Sequence, residues 1–113
     1  MDWLNTLSRE YIAVVRHCIN HELGETVCRG NKYAVPLPLI TGLLQKNLYE
    51  KPSVKLGYWK RLRWIDGEGS HIARRVYLQQ GKTRQRRVCI DLTAYTVLCE
   101  LEEKINSEKV VKP

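Results

Sequence analysis

The amphipathic pattern of residues 3–23 constrains the fold more than any other feature of the chain. At 3.6 residues per turn, hydrophobic side chains fill one half of a helical cylinder, whereas Arg9, Glu10 and Arg16 fall on the other half. The pattern predicts a long helix docked on a core, with Gly24 as its C-terminal stop. Its apolar half comprises Trp3, Leu4, Leu7, Tyr11, Ile12, Val14, Val15, Cys18 and Ile19.

The elements that follow alternate between extended and helical patterns. Two prolines exclude a helix through residues 32–38, which are predicted to form a short edge strand or an extended approach to the next helix. That helix covers about residues 37–48. A short turn at 49–52 then leads into a second helix over residues 53–65, for which Ser53 is a suitable cap.

The last third of the chain predicts a β-hairpin and a final helix. Residues 71–79 and 83–90 are strand-like and are separated by Gln80, Gly81 and Lys82, a turn signal. A helix begins after them, capped by Asp91 or Thr93.

Length and composition predict a single globular domain. The 113 residues suffice for one core, and we expect one α+β domain, mostly α, over residues 1–106 with a tail over 107–113. No secretory signal and no apolar run of about 20 residues is visible, so we expect no membrane association and a cytoplasmic location. The four cysteines are then expected to be reduced thiols.

Positive charge is concentrated in one segment. Residues 51–87 contain 11 Lys and Arg against two acids, a net charge of +9, whereas the rest of the chain carries −2. Segregation of this kind indicates an anionic partner rather than a particular fold.

The helix predicted over residues 53–65 has two distinct faces. Lys60 and Arg63 lie on a basic face that a nucleic-acid groove can accept. The opposite face is apolar and is predicted to pack on the core through Val54, Tyr58, Leu62 and Ile65.

Three bulky residues, Leu56, Trp59 and Trp64, lie on or beside the basic face of this helix. Their position leaves three roles open: packing at the rim of the core, stacking on exposed bases, or gripping a protein partner.

The hairpin places arginines opposite each other in either of two registers. A turn centred on the glycine pairs Arg75 with Arg87, whereas a two-residue turn pairs Arg75 with Arg86 and Arg74 with Arg87. Like charges directly opposite are unfavourable. Unless nearby acids neutralise them, the phosphates of a partner would supply the counter-charge.

The order of helix, extended segment, helix, turn, helix, hairpin and helix resembles a winged helix-turn-helix domain from Trp3 to Ile105. A fainter resemblance is to the winged domains that accompany relaxases and replication proteins on mobile elements. In winged domains the second paired helix usually enters the major groove, and the hairpin contacts the backbone or minor groove. The resemblance implies these DNA-contacting residues: Lys55, Lys60, Arg61, Arg63, Arg74, Arg75, Lys82, Arg84, Arg86 and Arg87.

The expected function is therefore that of a duplex DNA-binding protein, either a transcriptional regulator or an accessory factor in replication or transfer. The alternatives are a protein–protein interaction module and an RNA-binding domain that uses the same face. The first or the last helix can serve a homodimer.

Catalytic and metal sites find little support. His17, His21, Cys18 and Cys28 suggest a zinc site, but Cys18 points a quarter turn away from the histidines and no Cys-x-x-Cys pair is present. His71 stands near Arg74 and Arg75 as in some nucleases, yet no carboxylate cluster or Gly-rich phosphate loop accompanies it. We expect no enzyme, no metal and no cofactor.

Overall fold

Four helices and a five-stranded antiparallel sheet form the part of the chain that the computed structural model describes, residues 3–27, 30–47, 49–77 and 84–110. The predicted α+β class is confirmed, and about half of the chain is helical. The helices are α1 (Trp3–Asn20), α2 (Leu37–Leu44), α3 (Pro52–Arg61) and α4 (Leu92–Val110). The strands are β1 (Glu25–Thr26), β2 (Lys32–Val35), β3 (Ile65–Asp66), β4 (Arg74–Tyr77) and β5 (Arg84–Asp91).

Strand β5 organises the sheet. Its C-terminal half lies between β2 and β3, and β1 adds to the free edge of β2. Its N-terminal half pairs with β4 so that Arg74 faces Arg87 and Arg75 faces Arg86. This is the register predicted for a two-residue turn, although residues 78–83 lie outside the described part.

Helix α1 forms the centre of the core. Its Tyr11 ring contacts Trp59 at 4.9 Å and Trp64 at 5.0 Å between ring centroids, and its hydroxyl donates a 2.8 Å hydrogen bond to the carbonyl of Trp64. These contacts join the first helix to α3 and to the segment that follows it. The core consists of α1 side chains, the inner faces of α2 and α3, and Val35, Val88 and Ile90 from the sheet.

Several helix boundaries differ from the sequence prediction. Pro52, not Ser53, begins α3, because the fixed φ of proline suits the first helical position. Lys51 is the N-cap and makes no side-chain cap, since its ammonium group cannot accept a hydrogen bond. Helix α3 ends at Arg61 rather than at residue 65. Helix α2 ends at Leu44 rather than at residue 48, and α4 continues to Val110, past the predicted start of the tail.

Of the two residues predicted as alternative caps of α4, Asp91 and Thr93, the structure has Asp91 as the cap. Its Oδ1 accepts hydrogen bonds from the N–H groups of Thr93 and Ala94 at 3.0 and 3.1 Å. Gly24, in contrast, is not the residue that ends α1. The left-handed position after the helix is occupied by Glu22, with φ of 53°.

The prediction for the inner face of residues 53–65 was wrong in part. Ile65 is buried and Tyr58 packs against the core, as predicted, but Leu62 is 41 % exposed. The buried side chains of α3 itself are Lys55, Leu56 and Trp59. Trp64 is buried as well. The sequence left three roles open for Leu56, Trp59 and Trp64. Because all three side chains are buried, their role is packing in the core.

Lys55 cannot be a groove contact, because it is fully buried. Its Nζ donates to Glu10 Oε2 at 3.0 Å, to the carbonyl of Leu44 at 3.0 Å and to the carbonyl of Asn47. The Leu44 carbonyl is at the end of α2, whose last turn lacks intrahelical donors, and the Asn47 carbonyl is in the connection to α3. Lys55 therefore fixes the α2–α3 connection, and Glu10, placed by periodicity on the polar half of α1, is buried beside it.

Tyr49 completes this buried network. Its hydroxyl donates a 2.6 Å hydrogen bond to Glu10 Oε1, and its ring centre lies 4.1 Å from the Lys55 ammonium. Burial, followed by the effect of the Glu10 carboxylate, raises the pKa of Tyr49 above its usual range, so the phenol stays a neutral donor.

Candidate nucleic-acid interface

Three cations lie close together where α3 ends. Lys60 and Arg61 are in its last turn, and Arg63 follows two residues later. Lys60 is half-buried, whereas Arg61 and Arg63 are exposed. We call Lys60, Arg61 and Arg63 the α3 cations.

Arg63 has a left-handed backbone, with φ of 61°. The N–H of Trp64 donates to the carbonyl of Trp59 at 2.9 Å, and that of Arg63 to the carbonyl of Lys60 at 3.1 Å. This is the Schellman ending of a helix, in which the left-handed residue is usually glycine. An arginine there costs about 1 kcal/mol of conformational energy.

The variant Arg63→Gly is therefore expected to raise the free energy of unfolding by about 1 kcal/mol. Glu22 offers a matched control, since it occupies the same position after α1, where Leu23 N–H bonds the carbonyl of Cys18 at 2.9 Å. Urea unfolding should show a similar gain for Glu22→Gly. A loss of stability in Arg63→Gly alone would mean that the arginine side chain stabilises the fold more than its backbone strains it.

Lys60 is held against the loop after β3. Its aliphatic stem crosses Gly67, where an added Cβ would come within 2.7 Å of it, and its ammonium group donates to the carbonyl of Gly69. A side chain at position 67 would also come within 2.5 Å of the His71 carbonyl, a backbone atom that cannot move aside as a lysine side chain can, so the position requires glycine. The positive charge of Lys60 therefore lies at the surface beside the carbonyl of Gly69.

Asp66 connects the α3 cations to the sheet. A cleft beside it is lined by Lys32, Lys60, Arg63 and Asp91, and its carboxylate pairs with Lys32 and with Arg74 Nη1, the latter at 3.0 Å. The end of α3 and the start of β4 therefore belong to one flank of the protein.

The arginines of β4 and β5 divide between two faces. Because successive strand residues point to opposite sides, Arg74 and Arg87 share one face, and Arg75 and Arg86 share the other. The hairpin thus does not present all of its cations to a single partner. Lys82 and the side chain of Arg84 lie outside the described part of the chain.

Acidic groups pair most of these arginines. Asp66 binds Arg74, Glu68 Oε2 lies 3.5 Å from Arg75, and Glu25 Oε2 lies 3.7 Å from Arg87. Bonds from the backbone N–H and guanidinium of Arg75 lower the pKa of Glu68. Acids of the protein itself therefore reduce the repulsion between the facing arginines. That repulsion is no longer a reason to expect the phosphates of a nucleic-acid partner.

The candidate set predicted from the sequence thus separates into three groups. Among the described residues, no acid forms an ion pair with Lys60, Arg61, Arg63 or Arg86. Arg74, Arg75 and Arg87 are at the surface but paired, and Lys55 is in the core. Sequence reasoning missed Lys32, whose place in a strand outside the basic segment carried no signal, and it missed the pairing roles of Asp66, Glu68 and Glu25.

The other candidate residues stand apart from this surface. The rings of His17 and His21 lie 4.3 Å apart on α1, and no group of three His, Cys, Asp or Glu side chains in the described ranges is arranged to hold a metal ion. Cys28 lies outside those ranges. The arginines near His71 are the ones held by Asp66 and Glu68.

Comparison with known proteins adds no family. No family model and no curated protein matches the chain. Of the helices described, none combines the length and the hydrophobicity needed to cross a membrane.

Proposed function

We propose that this protein is a winged helix-turn-helix protein that binds duplex DNA, as a regulator or as an accessory factor in replication or transfer. In this proposal helix α3 lies in the major groove of the DNA, and the β4–β5 ribbon serves as the wing. Because acids hold three of the four wing arginines whose side chains the structure describes, binding depends chiefly on the α3 cations and Arg86.

The order of elements supports this architecture. Helix α1 is followed by β2, the α2–α3 pair, and two strands of which the second pairs antiparallel with β2. In winged domains such an order lets the second paired helix and the hairpin meet the same duplex.

The proposal depends chiefly on the cluster of cations at the end of α3. Lys60, Arg61 and Arg63 place three positive charges within four residues, and no acid pairs with them in the described part of the chain. Arg61 and Arg63 are exposed, so their guanidinium groups can contact phosphates or pair with guanine edges.

Charge at these positions also predicts how affinity responds to salt. Each phosphate contact contributes a slope of about −0.9 to the logarithm of the binding constant against the logarithm of salt concentration. Four contacts, by the α3 cations and Arg86, give a slope of about −3.6.

A fluorescence-anisotropy titration with random duplex DNA between about 50 and 200 mM salt tests this, because the expected fall in affinity is about 100-fold. Single-stranded DNA and duplex RNA are run as parallel arms, with weaker binding expected for both. A flat salt response would overturn the proposal, and tighter binding of the RNA duplex would replace DNA with RNA as the partner.

A further inference from the structure

An apolar groove separates the first half of α1 from the second half of α4. Its floor is formed by Ile12 and Trp64, and its α4 wall by Leu101 and Ile105. The groove volume is about 190 Å³. This is well below the roughly 300–1,000 Å³ of a site for a small organic ligand, and it suits the insertion of a few side chains.

Helix α4 exposes several large apolar side chains on the side that borders the groove. Val97, Leu101 and Ile105 recur every four residues, so they form one stripe, and each is between 44 and 51 % exposed. An apolar stripe of this kind, continuous with a groove, is typical of a surface that another protein covers.

The two walls of the groove also differ in charge. Arg9 stands on the α1 wall and Glu102 on the α4 wall. No ion pair involves either residue within the described ranges.

We infer that this groove and the apolar stripe of α4 beside it form the interface of a homodimer, covered by the same surface of a second copy of the chain. In a two-fold dimer the same patch contacts itself, so residue i of one copy meets residue j of the other and the reverse. A patch that is apolar at its centre, with a cation on one wall and an anion on the other, is complementary to itself under such a rotation.

The charges also select the orientation. A two-fold axis that runs along the groove brings the α1 wall of one copy over the α4 wall of its partner, so Arg9 faces Glu102 of the partner subunit twice. An axis across the groove would instead place like walls together and bring Arg9 against Arg9. The dimer therefore has its axis along the groove, with the two α4 helices parallel.

Charge-reversal variants of the full chain test this arrangement by sedimentation equilibrium. Arg9→Glu and Glu102→Arg should each raise the dimer dissociation constant at least about tenfold, because each creates two like-charge contacts. The double variant Arg9→Glu/Glu102→Arg should return to within about threefold of the original value, since opposite charges again face each other. Circular dichroism checks that each variant stays folded.

Glu103→Arg is the matched control, because Glu103 is the exposed neighbour of Glu102 and does not line the groove. It should leave the dissociation constant unchanged. A chain that is monomeric throughout the micromolar range would overturn the inference. So would single reversals without effect, or a double variant as weak as the two single variants combined.

Discussion

Replacing Lys55 with methionine is expected to lower the free energy of unfolding by about 3–5 kcal/mol. The ammonium group has three N–H donors, and each one has an acceptor: Glu10, Leu44 and Asn47. Removing them leaves the Glu10 carboxylate, only 4 % exposed, without a counter-charge, and leaves two carbonyls of the α2–α3 connection without a donor. Urea unfolding followed by tryptophan fluorescence measures the loss.

Two further variants make this prediction specific. Lys51→Met removes an exposed cation at the start of α3 and should change stability by less than about 0.5 kcal/mol. The double variant Glu10→Gln/Lys55→Met should be more stable than Lys55→Met alone, since no buried charge is then left unpaired. A Lys55→Met protein that stays as stable as the unsubstituted chain but loses DNA binding would show that Lys55 contacts DNA and does not stabilise the core.

The double variant Arg61→Ala/Arg63→Ala is expected to weaken duplex DNA binding about 50-fold at about 0.1 M salt. Both guanidinium groups are exposed and no acid in the described residues pairs with either, so they are available to phosphates. Losing two contacts should also reduce the magnitude of the salt slope by about 1.8. Anisotropy titrations at several salt concentrations give both numbers.

The control for this variant is Lys46→Ala/Lys104→Ala, which removes the same charge from exposed positions at the end of α2 and on α4. Its affinity for duplex DNA should fall only a few-fold, because neither lysine lies on α3 or on the β4–β5 ribbon. Equal losses in both double variants would show that net charge alone governs binding, and the assignment of α3 to the groove would then be wrong.

The features that the sequence predicted correctly were mostly local ones. The period of α1 predicted six of its buried residues, and the composition of residues 71–90 predicted two antiparallel strands with arginine facing arginine. Pro36 correctly separated the extended segment from α2, although Pro38 lies in the first turn of that helix. Such features follow from the periods of helices and strands and from single-residue backbone preferences, and these act over a few positions.

The failed predictions for α3 and its buried lysine depended on a partner distant in the chain. Periodicity placed Leu62 inside, and the resemblance to winged domains implied a groove contact for Lys55. Glu10, 45 residues away from Lys55, makes the buried lysine acceptable, and Leu62 is exposed instead. Trp64 was left open because its burial requires Tyr11.

By itself the sequence determined the α+β class, the long first helix, the paired strands and the concentration of cations in residues 51–87. Only the tertiary structure decided which of those cations remain available to a partner, because a charge is neutralised by whichever opposite charge the fold brings near it. Asp66, Glu68 and Glu25 hold three wing arginines and Glu10 holds Lys55. The α3 cations and Arg86 are the described members of the candidate set that form no ion pair with an acid.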